Sequence, residues 1–159
     1  MKEVLKILEQ DARTSHETIA TMTGMKLEEV DRIVAEAEKD RAIIKYRTII
    51  NWDKVGEQQV LALIEVKIIP ERDVGFDAVA ERIYRFPEAR SVWLVAGDYD
   101  LAVLVSAKDI YEVSRFTSER LATIDAVHGT VTHFIMERYK EDDEVLVDVE
   151  QSARQPLSP

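Results

Sequence analysis

Three histidines, His16, His128 and His133, are the residues of this chain best suited to metal binding or to proton transfer near neutral pH. Their spacing works against a shared task. His16 is remote from the others in sequence. His128 and His133 stand five apart in a stretch that alternates like a strand, which sends them to opposite faces. Cysteine is absent, so disulfides, thiol nucleophiles and thiolate metal ligands are excluded together. The sequence carries no GxGxxG, no P-loop and no HExxH. No metal, no cofactor and no catalytic residue are therefore expected. Arg82, Arg85, Arg90, Arg115 and Arg120 could bind a polycarboxylate if they converged, but arginines on helix surfaces are ordinarily solvated.

Any such residues need a scaffold, and 159 residues with 46% hydrophobic side chains can bury one. With 5 Gly and 4 Pro the chain is neither collagen-like nor wholly disordered. A net charge of −10 opposes a generally basic, nonspecific nucleic-acid binder, although a local basic face remains open to it. The longest apolar stretch, Val60 to Ile69, is broken by Glu65 and Lys67 and falls short of the roughly 18 residues of a membrane span. The N-terminus lacks the basic-then-apolar layout of a signal peptide. A cytoplasmic protein with no membrane partner is expected.

Periodicity and charge both change along the chain. Net charge is −1 through Lys54 and −9 beyond it. Residues 1–50 read as three short helices. Val4, Leu5, Ile7 and Leu8 give the first a buried stripe, and Thr14 with Glu17 predicts a capping box for the second. Thr23-Gly24-Met25 breaks the chain before a third helix with Leu27, Val30, Ile33, Val34 and Ala37 on one face. Two helices joined by a short glycine-containing turn suggest a helix-turn-helix, and Ile43 to Ile50 reads as a strand or small wing. Residues 51–56 read as a linker.

Residues 57–139 read β-α-β-β-α-β. Ala62, Ile64, Val66 and Ile68 alternate onto one strand face, and Phe76, Val79, Ala80 and Ile83 mark a helix stopped by Phe86-Pro87. Val92 to Val95 and Leu101 to Val105 flank the turn Gly97-Asp98-Tyr99-Asp100. A helix from Asp109 to Thr123 and a strand from Val127 to Met136 complete the unit. This order predicts an α+β chain: a winged helix-turn-helix followed by a ferredoxin-like βαββαβ domain. Helices on one sheet face leave the other needing cover, so a homodimer at least is expected. The acidic segment 140–159, ending in proline, is expected to be mobile.

This layout over residues 2–139 resembles the Lrp/AsnC family of transcription regulators. The resemblance is carried by Lys6-Ile7-Leu8-Glu9-Gln10-Asp11-Ala12-Arg13, Ile43-Ile44-Lys45-Tyr46, Asn51-Trp52-Asp53-Lys54-Val55-Gly56 and Gly97-Asp98-Tyr99-Asp100, in that order. It implies a regulator that binds double-stranded DNA and reads a small-molecule effector, commonly an amino acid. The effector acts through assembly of dimers into tetramers or octamers. Carried over by position, the resemblance nominates Gly97, Asp98, Tyr99, Asp100, Thr130 and Thr132 as effector-binding. An aspartate would accept from the effector ammonium, and hydroxyls or backbone N–H groups would donate to its carboxylate.

The third helix departs from a simple DNA reader. Between Lys26 and Lys39 stand Glu28, Glu29, Asp31, Glu36 and Glu38 against Lys26, Arg32 and Lys39. Duplex DNA carries one negative charge per about 1.7 Å, which opposes such a surface. Lys26 replaces the Ser or Thr N-cap, and Arg41 the glycine after the helix, that the family often shows. Lys26, Arg32, Lys45 and Arg47, with Arg13, remain as the phosphate-contact candidates. Two alternatives stay open: an enzyme resembling the siroheme decarboxylases, which share this layout, and an effector sensor that has lost direct DNA recognition.

Overall fold

The computed structural model describes residues 1–57, 59–69 and 75–147. Contacts divide the chain into two units, Met1–Ile50 and Asn51–Pro159.

The first unit contains α1 (Lys2–Gln10), α2 (His16–Thr23) and α3 (Leu27–Lys39). Its core is Val4 and Leu8 of α1, Ile19 of α2, and Val30, Ile33 and Val34 of α3, with Ile43 packed against them. The i, i+3, i+4 spacing on α3 places these residues on one stripe. Helix α2 is capped by Ser15, not by the expected Thr14: the Ser15 Oγ accepts from the Thr18 N–H at 3.2 Å. Adjacent hydroxyls left the pattern one residue out of phase. Gly24 closes α2 in the left-handed region at φ 69°. Lys26 gives α3 no side-chain cap. Arg41 adopts φ 58°, a conformation that favours glycine, and so makes the exit turn without one. The expected strand or wing over 43–50 is not formed: residues 44–51 lie outside any strand. Ile44 and Tyr46 are exposed, and a strand without a ladder partner gains little.

The segment read as a linker, 51–56, carries one short helix at the start of the second unit. Trp52–Val55 forms α4, ended by Gly56 at φ 80°. Four strands follow, β1 (Val60–Ile68), β2 (Ala89–Leu94), β3 (Leu101–Ala107) and β4 (Val127–Ile135), with α5 (Phe76–Tyr84) and α6 (Ile110–Arg115). A π-helix, Phe116–Leu121, continues α6. Strand order is β2-β3-β1-β4, and every neighbouring pair is antiparallel. Alternation puts Ala62, Ile64, Val66 and Ile68 of β1 and Leu101, Val103, Val105 and Ala107 of β3 on one face. They pack there with Val79 and Ile83 of α5, Val113 of α6, and Phe116 and Leu121 of the π-helix. Deleting one large side chain here, such as Ile64, costs about 2–5 kcal/mol.

The opposite sheet face carries Leu61, Leu63 and Glu65 of β1 beside Ile135, His133 and Val131 of β4, and Ala102 of β3 beside Trp93 of β2. Trp93, Val131 and Ile135 are exposed there.

Part of the acidic segment expected to be mobile is instead a hairpin. β5 (Lys140–Glu141) pairs with β6 (Glu144–Val145) around Asp142 and Asp143, both at positive φ. The Glu141 carboxylate meets the Arg138 guanidinium at 2.7 Å and that of Arg90 at 3.9 Å, and Asn51 Nδ2 donates to the Leu146 carbonyl at 2.8 Å. Residues 148–159 of that expectation lie outside the described residues.

Candidate functional site

The first candidate surface is the exposed side of α3. Val30, Ile33, Val34 and Ala37 face inward, which leaves Glu28, Glu29, Asp31, Arg32, Glu36 and Glu38 outside. Two of these acids are held within the unit. Asp31 Oδ1 lies 2.6 Å from His16 Nδ1 at the start of α2. The Tyr46 hydroxyl donates to Glu38 Oε1 at 2.9 Å, and burial together with that carboxylate raises the Tyr46 pKa above the ordinary phenol value. Glu28 and Glu29 occupy the first turn, where the helix dipole favours acids. Both carboxylates keep their negative charge in these contacts, so the acids opposing a phosphate are as many as composition implied. Lys26, Arg32, Lys45, Arg47 and Arg13 are all exposed. Lys26 and Arg32 flank the first turn of α3, while Lys45 and Arg47 lie on the extended chain beyond it.

The second candidate surface is the end of the sheet at the 97–100 turn. Asp100 proves to be part of the scaffold. Its Oδ2 accepts from the Ile68 N–H at 2.8 Å, its own N–H donates to the Val66 carbonyl at 3.0 Å, and its carbonyl accepts from the Val95 N–H at 2.9 Å. Lys67 Nζ adds a contact at 3.4 Å to the same Oδ2 and donates to the Asp98 carbonyl at 2.9 Å. The ladder between β1 and β3 ends at Val66 and Leu101. The Asp100 carboxylate therefore serves as the next rung. Gly97 and Asp98 are exposed and Tyr99 half-buried; a Cβ on Gly97 would meet nothing within 4 Å.

Thr130 and Thr132 lie across β1 from this turn. They pair with Val66 and Ile64 on the edge strand β4 and are half-buried. Two interstrand spacings separate Thr130 from Leu101, roughly 10 Å. Within one protomer the turn and the threonines do not converge on a single small ligand.

The remaining expected chemistry resolves simply. His133 Nε2 contacts Glu65 Oε1 at 3.1 Å on the uncovered sheet face, and His128 is exposed. Among the described residues no group of three or more His, Asp or Glu side chains is placed to hold a metal. No helix among them is long and apolar enough to cross a membrane.

Residues 61–145, more than half of the chain, match the family model of the Lrp/AsnC ligand binding domain. The chain belongs to the Lrp/AsnC family. It is 46% identical over 158 residues to the uncharacterized HTH-type transcriptional regulator YugG of Bacillus subtilis (strain 168), covering 99% of this chain and 95% of that one. The fold is shared with a feast or famine regulatory protein, Rv3291c of M. tuberculosis, solved in complex with L-methionine. That match has a TM-score of 0.73 at 20% identity and covers 92% of this chain and 96% of the other. It is also shared with the transcriptional regulator NMB0573 of Neisseria meningitidis, solved as its L-Met complex, with a TM-score of 0.70 at 18% identity over 87% and 89% of the two chains. The chain is thus an HTH-type transcription regulator with a ligand-binding domain, in a family of regulators rather than enzymes. The decarboxylase alternative falls with that assignment.

Sequence reasoning missed three functional details. It did not find the His16–Asp31 and Tyr46–Glu38 contacts, which pair residues on different segments. Nor did it find the structural use of Asp100, which only the register of β1 against β3 reveals.

Proposed function

We propose that this chain is a cytoplasmic one-component regulator that binds double-stranded DNA through the helix-turn-helix unit and responds to an amino acid through changes in assembly. Lys26, Arg32, Lys45 and Arg47 contact phosphates or bases. The effector lies against Gly97, Asp98, Tyr99 and Asp100 and against Thr130 and Thr132. Because the turn and the threonines stand on opposite sides of β1, the site is completed between subunits. The uncovered sheet face, with Trp93, Val131 and Ile135 exposed, supports a homodimer as the smallest assembly. Tetramers or octamers would supply the avidity that a recognition helix poor in bases requires. The effector shifts the assembly by binding one oligomeric state more tightly than another, and so resets the spacing of the DNA-reading units.

The observation that carries this reading is the presence in one chain of a helix-turn-helix unit and a sheet unit matched by a ligand-binding family model. Asp98 is the carboxylate of the turn left available for an ammonium, since that of Asp100 already accepts from Ile68. Calorimetry of the full chain against the common amino acids, beginning with L-methionine, tests it. Binding that weakens at least tenfold in Asp98→Ala is expected; an unchanged affinity in that variant contradicts the site. On the DNA side, Arg32→Ala is expected to weaken binding and to lower the salt slope by about 1. An unchanged slope moves DNA contact away from α3.

A further inference from the structure

The His16–Asp31 contact joins the two helices of the helix-turn-helix. His16 opens α2, and its Nδ1 lies 2.6 Å from Asp31 Oδ1 on α3. Asp31 is exposed beside Arg32 and stands three residues after Glu28, near the N-terminal end of α3. When such a helix lies in the major groove, its N-terminal residues meet base edges, and the helix before it crosses the sugar–phosphate backbone. A side chain that starts on α2 and reaches Asp31 therefore stands at the border between groove and backbone.

The chemistry of the contact fixes what His16 can do there. A carboxylate only accepts, so Nδ1 carries the hydrogen that is donated to Asp31. Nε2 has no hydrogen-bond partner among the described residues, and the side chain is 38% exposed, so a ligand can reach it. In a neutral ring held this way Nε2 offers a lone pair, which repels a phosphate oxygen; only the imidazolium donates from both nitrogens. The charges that face the ring are Asp31 of α3 and Glu17 of its own helix, while α1 packs here through the apolar Val4 and Leu8. The Glu17 carboxyl is held below its usual range, chiefly by its backbone N–H and then by the Ser15 hydroxyl, so it stays ionised. With a phosphate at Nε2, the ring lies between anions on both sides, an arrangement that only its protonated form satisfies.

We propose that protonated His16 contacts a DNA phosphate through Nε2, with Asp31 as its positioning residue, so that DNA binding takes up a proton from solvent. Protonation also changes the His16–Asp31 pair from one net negative charge to none, which lightens by one charge the repulsion that α3 presents to phosphates. The other contact candidates, Lys26, Arg32, Lys45 and Arg47, bring a charge that does not change near neutral pH. Histidine is the side chain whose charge does change there. The sign follows from linkage: the complex binds more protons than the free chain, so affinity rises as pH falls. The inference rests on the proposal that α3 docks on DNA.

Fluorescence anisotropy of the full chain on labelled DNA from upstream of its own gene, with a salt titration at pH 6 and another at pH 8, tests it. Wild type is expected to bind about fivefold more tightly at pH 6, with a salt slope steeper by about 1, because one more counterion is released. His16→Gln should lose both differences, Asp31→Asn should shrink them, and His133→Gln, changed on the sheet, should keep them. Should His16→Gln fail to fold, nitrogen-15 spectra of the wild-type histidine rings at pH 7 decide: the His16 ring gains its second proton when the duplex is added. Equal affinity and equal slope at the two pH values overturn the proposal, as does a ring that gains no proton. A pH response that survives in His16→Gln overturns it by placing the titrating group elsewhere, and one that vanishes in His133→Gln assigns it to the sheet face. An undiminished response in Asp31→Asn overturns the positioning role. Absence of DNA binding at both pH values is the distinct result that overturns the DNA reading itself, and this inference with it.

Discussion

Helix α3 and the 97–100 turn belong to different units, yet both divide their carboxylates in the same way. On α3, Asp31 is held by His16 and Glu38 by Tyr46, while Glu28, Glu29 and Glu36 remain on the surface. In the turn, the Asp100 carboxylate is held by the Ile68 N–H and Asp98 is exposed. At both places the acids seen in the sequence are of two kinds, those that hold the scaffold and those that meet solvent. Only the second kind bears directly on a partner. For α3 the held acids keep their charge and the electrostatic objection to DNA stands, whereas for the turn the proposed ammonium-accepting role passes from Asp100 to Asp98.

The largest effect that would break this comparison lies in the turn. Asp100→Ala strips the Ile68 N–H of its acceptor and is expected to destabilise the chain by about 1–3 kcal/mol. Asp98→Ala should stay within about 0.5 kcal/mol. Urea denaturation of both variants checks it, and equal losses would erase the distinction between them. Next comes the exit of α3. Arg41 holds φ 58°, so Arg41→Gly should relieve about 1–2 kcal/mol of left-handed backbone strain, offset in part by about 0.5–1 kcal/mol of glycine's greater unfolded-chain entropy, and read as a slightly raised urea midpoint.

A smaller effect separates the two kinds of acid on α3 itself. Glu29→Gln should tighten DNA binding by about two- to threefold at low salt. Asp31→Asn should tighten it less, since the Asp31 carboxylate already sits against His16; titrations of both against one duplex make the comparison. The smallest effect belongs to Tyr46. Its folded-state pKa lies above the unfolded value, so its contribution is complete below about pH 10 and is lost as pH rises through the raised value. Ultraviolet absorbance titration of the wild type should show two late-ionising phenols, of which Tyr46→Phe retains Tyr139, held up by its hydrogen bond to the Glu137 carboxylate.

The α and β elements were legible because their burial is periodic. Val30, Ile33, Val34 and Ala37 repeat at helical spacing and Ala62, Ile64, Val66 and Ile68 at strand spacing, and both sets form core faces in the structure. Segments without such a face were read less well. Ile43 to Ile50 has strand-forming residues but no ladder, and 140–147 has a disorder-like composition yet folds as a hairpin clasped by Arg90 and Arg138. Propensity describes a residue, whereas these outcomes depend on which distant segment supplies a partner. The candidate site was legible in the same measure. The turn and the threonines could be placed on their elements, but their separation across β1 follows from strand order.

The central claim is that this chain reads DNA despite its acidic recognition helix, and fluorescence anisotropy with a salt titration tests it most directly. Wild-type protein, at concentrations where its assembly is intact, would be titrated against labelled DNA from upstream of its own gene and against an unrelated duplex. The account predicts a clear preference for the upstream DNA, with affinity falling steeply as salt rises. Equal, weak binding to both duplexes at low salt would contradict it and leave a ligand sensor without direct recognition of that DNA.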